Sequence, residues 1–505
     1  MTSPPDSPAS SRNLCPTGVE GLDDILRGGL PRNRIFLLLG EPGSGKTTLA
    51  LQFLLAGEQA GERGLYITLS ETSDELKEVA TSHHWDISKL HVFELSALQE
   101  ELKEPGETTF FSPSEMELTR TTKVLLEQVE KIKPTRVVFD SLSEVRLMAE
   151  TPLRYRRQIL HLKQFFAGRN CTVLMLDDGA GGDNADEQVE SLAHGVMVLN
   201  KNAPDYGILR RQIAVAKMRG VKFREGNHDI IMETGGLVVF PRLVASEHHT
   251  PFRRESVTSG IDGLDRLLGG GIDRGTSTVL MGPAGAGKST ISAAFAVTAA
   301  ARGEKVLFYS FDETRATLMA RADELGLNLS EHVAAGRIII QQIDPAEISP
   351  GELAFRVRQA VVHDQVRMVV VDSLNGYLHA MPDQRHLLLQ LHEMLSFLNQ
   401  QGVASLLILT QQGMIGTMQT PIDLIYLADT VVMLRFFEAS GMVKQAISVI
   451  KKRSGSHERT IRELTMADNT VGVGEPLTDF HGVLTGVPTL VRAIRAASDS
   501  PTPEL

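Results

Sequence analysis

The chain has 505 residues, 42% of them apolar and 22% charged, with a formal net charge of −11. That length is too great for one hydrophobic core and suits two domains, while the acidity argues against a protein that lives on nucleic acid through a basic face. Its two cysteines, Cys15 and Cys171, lie far apart without metal-ligand spacing and point to a reduced, cytoplasmic setting.

The Ser/Pro-rich start, Met1 to Asn13, has no basic stretch followed by an apolar run, so it does not read as a secretory leader. Residues 1–14 are expected to be a disordered tail, and residues 491–505 a short, loose C-terminal one. No stretch offers about 18 uninterrupted apolar residues, so no membrane-spanning helix is expected.

Between the tails, apolar strands alternate with helical spacing. Ile35–Leu39 reads as a buried strand, Thr47–Gln59 as a helix and Gly64–Leu69 as a strand. A helix follows over Thr119–Lys131, a strand over Arg136–Phe139, a helix over Leu153–Phe166 and a strand over Thr172–Leu176. The order recurs with strands at Thr278–Met281, Lys305–Phe311, Met368–Val371 and Ser405–Leu409. Continuous apolar strands alternating with helices predict an α/β fold, each domain a mostly parallel sheet covered on both faces.

The recurrence extends to motifs. Thr17-Gly-Val-Glu-Gly-Leu-Asp23 returns as Ser259-Gly-Ile-Asp-Gly-Leu-Asp265. Ser70-Glu71-Thr72 returns as Asp312-Glu313-Thr314, Asp140-Ser141-Leu142 as Asp372-Ser373-Leu374, and Lys217-Met-Arg219 as Lys451-Lys-Arg453. Ordered repetition of this kind means duplication. We expect a first domain over residues 15–247 and a second over 248–490, with Ala245–Val257 as a polar linker.

Gly40-Glu-Pro-Gly-Ser-Gly-Lys46-Thr47 and Gly282-Pro-Ala-Gly-Ala-Gly-Lys288-Ser289 both match G-x-x-x-x-G-K-[ST]. Each follows a strand and opens a helix, the context a phosphate-binding loop requires. Gly40, Gly43, Ser44 and Gly45, with Gly282, Gly285, Ala286 and Gly287, would turn backbone N–H groups toward ATP phosphates. Lys46 and Lys288 would neutralise the outer phosphates, and Thr48 and Thr290, next along the two helices, are expected to bind the nucleotide as well. Thr47 and Ser289 are candidate Mg²⁺ ligands, as are the strand-end acids Asp140 and Asp372, whose alternative role is helix capping.

Glu71 and Glu313 follow the next strand, where a carboxylate can orient or deprotonate an attacking water; a solvated loop acid is the alternative. Lys217, Arg219, Lys451 and Arg453 come late in each half. They could reach a neighbouring subunit's γ-phosphate, or be surface cations at strand ends. Arg154-Tyr-Arg-Arg157 reads as a solvated helix face, His83-His84 and His248-His249 as surface residues, and Trp85 as a packing anchor.

On these motifs, together with Lys217–Gly220 and Ile450–His457, the chain resembles the KaiC family of RecA-superfamily ATPases from Thr17 to about Pro488. The resemblance implies two tandem RecA-like P-loop domains in a two-tier hexameric ring. It places ATP at subunit interfaces, with the Lys/Arg pairs acting in trans. It implies slow hydrolysis in the first tier and, in clock members, Ser/Thr autokinase and autophosphatase activity in the second. KaiB-like or histidine-kinase partners are implied as well.

Three departures stand out. Ser70-Glu71 and Asp312-Glu313 replace the family's paired glutamates, although Asp312 keeps a carboxylate. Ile425 and Tyr426 occupy the family's Ser-Thr acceptor positions, with Thr417 and Thr420 nearby. The short tail argues against docking of a KaiA-type partner. The competing readings are a DNA-acting recombinase or helicase of the same superfamily and an ATP-binding scaffold with little turnover.

Overall fold

The computed structural model describes residues 13–95, 113–179, 190–203, 207–379, 384–413, 425–467, 470–485 and 488–490. The chain falls into two compact units that part between Arg242 and Leu243.

In the first unit one sheet has nine strands. From edge to edge they run His91–Glu94, Gly64–Thr68, Arg136–Asp140, Thr172–Asp177, Ile35–Gly40, Gly195–Asn202, Arg210–Met218, Asn227–Glu233 and Gly236–Phe240. The first six are mutually parallel, and the last three are antiparallel additions. Phe36 and Leu38 face the helix Lys46–Gln59 through Leu49, Phe53 and Leu54, all buried. Ile35, Leu37 and Leu39 face the other layer, where Tyr155, Ile159 and Leu162 of the helix Pro152–Phe166 are packed. Burial on both faces explains why these strands are apolar at successive positions rather than alternating.

The second unit repeats the strand order: Ile338–Gln342, Lys305–Ser310, Val366–Asp372, Ala404–Thr410, Ser277–Gly282, Thr430–Ala439, Met442–Lys452, Arg462–Ala467 and Thr470–Pro476. Its six parallel strands are again followed by three antiparallel ones. Sequence reading named four parallel strands in each sheet and left the outer parallel strand, the sixth parallel strand and the antiparallel strands unassigned. The antiparallel strands are shorter on apolar runs and only half-buried, so strand–helix alternation does not mark them.

The repeated opening motif is a local staple. Thr17 donates its backbone N–H and hydroxyl to Asp23 Oδ1 at 2.8 and 2.9 Å. Ser259 does the same to Asp265 at 2.7 and 2.8 Å. The glycine between them lies against the last sheet strand: a Cβ on Gly21 would stand 2.0 Å from Val239 O, and one on Gly263 2.5 Å from Val473 O.

The stretch read as a linker falls in the second unit and is largely exposed, with its start tied to a helix of that unit. Ala245 N–H donates to Glu393 Oε2 at 3.1 Å, and Thr250 N–H to Gln400 O at 3.3 Å. His248, expected at the surface, is half-buried and meets the Phe397 ring edge-on at 5.4 Å, whereas His249 is exposed. His83 stacks on Trp85 at 4.7 Å, and Trp85 packs against the first unit's core. In the Arg154–Arg157 run only Tyr155 is buried. No described helix is long and apolar enough to cross a membrane.

Candidate nucleotide sites

Each phosphate-loop motif connects the carboxyl end of a central parallel strand to the helix behind it. The last loop glycine caps the helix in a left-handed conformation, Gly45 at φ 109° and Gly287 at φ 96°. A Cβ at either would also stand 2.7 Å from a methionine methyl, that of Met232 or of Met466. Sterics and conformation therefore both demand glycine here, and the turn leaves the helix's first N–H groups available to an anion.

Both lysines are buried and folded onto their own loops. Lys46 Nζ donates to Gly40 O at 2.5 Å and Glu41 O at 3.2 Å, and pairs with Asp178 Oδ1 at 2.8 Å. Lys288 Nζ donates to Gly282 O at 3.0 Å and Pro283 O at 2.6 Å. Burial pulls the Lys288 ammonium down to about 8, while Asp372 nearby opposes the shift. In the first loop Ser44 Oγ is buried without a partner, and Ala286 takes its place in the second.

The strand-end acids lie beside these loops. Burial raises the Asp140 pKa, against the hydrogen bond from Tyr66 Oη at 2.5 Å and the charge of Lys46. Burial likewise pushes Asp372 up to about 6, opposed by a hydrogen bond from Ser289. Both Asp–Ser peptide bonds, 140–141 and 372–373, are cis.

The loop glutamates are held differently. Burial, then the charge of Asp140, lifts Glu71 to about 7, with Thr47 hydrogen bonding in opposition. Its Oε2 is buried with no partner. Glu313 Oε2 instead pairs with Arg321 Nη2 at 2.8 Å. Asp312 is exposed, and its Oδ2 accepts from Ser373 Oγ at 2.5 Å; Ser70, its counterpart, is also exposed.

Glu71, Asp140, Thr47 and Lys46 are thus gathered at one loop, and Glu313, Asp372, Ser289 and Lys288 at the other. Asp178, Tyr66 and Arg321 join them without having been anticipated. Asp178 follows a strand end and could have been found by the rule that marked Asp140. Tyr66 lies inside an apolar strand and carries no such signal.

Comparison with known proteins bears on the assignment. A family model described as "ATPase: KaiC" matches residues 15–244 and again 257–478. The chain belongs to the KaiC family. It therefore carries two ATPase domains of the KaiC type, one per unit. Similar proteins include the "Circadian clock protein KaiC3" of Synechocystis sp., 26% identical over 478 residues, 94% of each chain. The "Circadian clock oscillator protein KaiC" of Thermostichus vulcanus is 25% identical over 501 residues, 97% of this chain and 95% of that one.

The late cations do not join their own unit's loop. Lys217 pairs in register with Val196, whereas the loop's Gly40 pairs with Leu199. Three residues of strand, ~10 Å, separate the two levels. There Lys217 Nζ donates to Glu190 O at 2.6 Å and Arg219 Nη2 to Ser191 O at 2.8 Å. In the second KaiC-type unit Lys451 pairs in register with Val431, again toward the strand's start. Lys451 Nζ donates to Ile425 O at 2.8 Å and Ala428 O at 2.7 Å, and Arg453 Nη2 to Tyr426 O at 2.8 Å. The KaiC-family acceptor positions, Ile425 and Tyr426, thus adjoin this basic pair; Thr417 and Thr420 lie outside the described residues.

Proposed function

We propose that the chain binds Mg·ATP at both loops, hydrolyses it, and works in the cytoplasm as a nucleotide-dependent timing or signalling switch built as a two-tier ring. The observation that carries this reading is the split of each site. A buried lysine and strand-end acid sit at the loop, while the Lys/Arg pair sits at the far end of the same sheet strands. A pair so placed suits a neighbouring copy's nucleotide better than its own.

Thr47 with Asp140, and Ser289 with Asp372, are the candidate Mg²⁺ ligands. Hard oxygen donors suit that ion, and two protein ligands per site leave room for phosphates and water. When bound, Mg²⁺ would neutralise phosphate charge. Glu71 and Glu313 would orient the water and take its proton as its oxygen bonds to the γ-phosphorus and the bond to the bridging oxygen breaks. Main-chain amides of the loops would hold the phosphates throughout.

Hydrolysis would change the contacts between copies and so the affinity for partners, a KaiB-type protein or a signalling kinase among them. Ile425 has no hydroxyl, so the acceptor pair of clock relatives has no chemical equivalent at that position. The test is mass measurement in Mg·ATP and in ADP. The reading predicts a hexamer in Mg·ATP, and a chain that stays monomeric there contradicts it.

A further inference from the structure

The two sites differ in what holds the loop glutamate. Thr72 and Thr314 cap matching helices, Ser73–Ser82 and Arg315–Glu324, each starting one residue later. Position 321 in the second helix therefore corresponds to position 79 in the first, where the residue is Val79. Val79 packs against the core and offers Glu71 no charge. Arg321 reaches back to Glu313 and holds Oε2 at 2.8 Å.

The loop hydroxyls respond in kind. Thr47 is near enough to Glu71 to oppose the rise in its pKa, whereas Ser289 opposes that of Asp372. One glutamate is turned inward, with a buried oxygen that has no partner. The other is drawn toward a guanidinium whose side chain is 40% exposed.

We infer that Arg321 is a positioning residue that holds Glu313 in an ion pair, where Glu71 keeps a carboxyl oxygen free, and so slows hydrolysis at the second site relative to the first. The inference rests on the hydrolysis reading above and adds a rate difference between the two sites. A half-exposed ion pair is weak, so the brake is several-fold rather than complete. It acts on the orientation of the base and leaves the loop that binds phosphates alone, so it appears in kcat and not in KM.

The test uses full-length chains with one loop disabled. In the Lys46→Ala chain only the second site turns over. There Arg321→Val should raise kcat about fivefold, with KM for ATP changed by less than about twofold. Arg321→Met, which keeps the aliphatic stem, should do the same, and Arg321→Lys should keep the slow rate. In the Lys288→Ala chain, Val79→Arg should slow the first site by a similar factor. A gain in rate cannot come from misfolding, which makes the Arg321 arm decisive. Second-site turnover that stays unchanged or falls in both Arg321→Val and Arg321→Met would overturn the clamp. Absence of turnover in both single-loop chains, with ATP still bound at the intact loop, would instead overturn the hydrolysis reading itself.

Discussion

Glu71 is a carboxyl held under pressure. Burial and the neighbouring Asp140 lift it to about 7, so in the nucleotide-free chain it keeps its proton well above the usual range. Its pKa is higher folded than unfolded. It therefore contributes stability below the ordinary carboxylate range near 4.5, and that contribution drains away as pH rises through about 7. Glu71→Gln should raise the unfolding temperature of the Mg²⁺-free chain at pH 8 and have little effect at pH 5, read by scanning calorimetry. The same variant should cut first-site turnover by about 10²–10⁴-fold in a Lys288→Ala background while ATP still binds. The motif residues at both loops are legible in the sequence because their chemistry is local: glycines, lysine and hydroxyl follow one another. Asp178 on Lys46, Tyr66 on Asp140 and Arg321 on Glu313 are not. Each depends on two distant segments meeting, and an arginine on a helix looks like any solvated cation until its partner is seen.

At the scale of elements, each site depends on the turn from strand to helix. Gly45 is left-handed and pressed by Met232 from an antiparallel strand, so the meander that sequence reading missed helps shape the loop. Gly45→Ala should destabilise the first domain by on the order of 1–2 kcal/mol from backbone conformation alone, with the methionine contact adding to it. Urea unfolding and ATP binding at the first loop should both report the loss, and Gly287→Ala should do the same to the second. Four of the six parallel strands in each sheet were readable from unbroken apolar runs; His91–Glu94, Gly195–Asn202, Ile338–Gln342 and Thr430–Ala439 were not named. The antiparallel strands mix buried and exposed positions, and their partners are set by hairpin turns rather than by burial on two faces. The linker stretch, Ala245–Val257, spans the gap between the two family matches, 15–244 and 257–478, and is largely exposed. What the sequence could not show is that its start is tied to a distant helix, Ala245 N–H by Glu393 and Thr250 N–H by Gln400.

For the whole molecule, duplication supplies two sites that share a strand order and differ in a few side chains. The duplication was plain in the sequence because five motifs recur in order. The difference between the sites was plain only in part: Ser70 against Asp312 could be read off, and Val79 against Arg321 could not. A net charge of −11 argues against a DNA-acting motor that works through a basic face. Added single-stranded DNA should leave the ATPase rate unchanged, and salt-sensitive stimulation would favour the motor. The most direct measurement of the central claim is calorimetric titration of Mg·ATP into the full chain and its loop variants. The account predicts two nucleotides bound per chain, one in Lys46→Ala and one in Lys288→Ala, and none when both lysines are replaced. Binding that is absent from the intact chain, or undiminished when both lysines are gone, would contradict it.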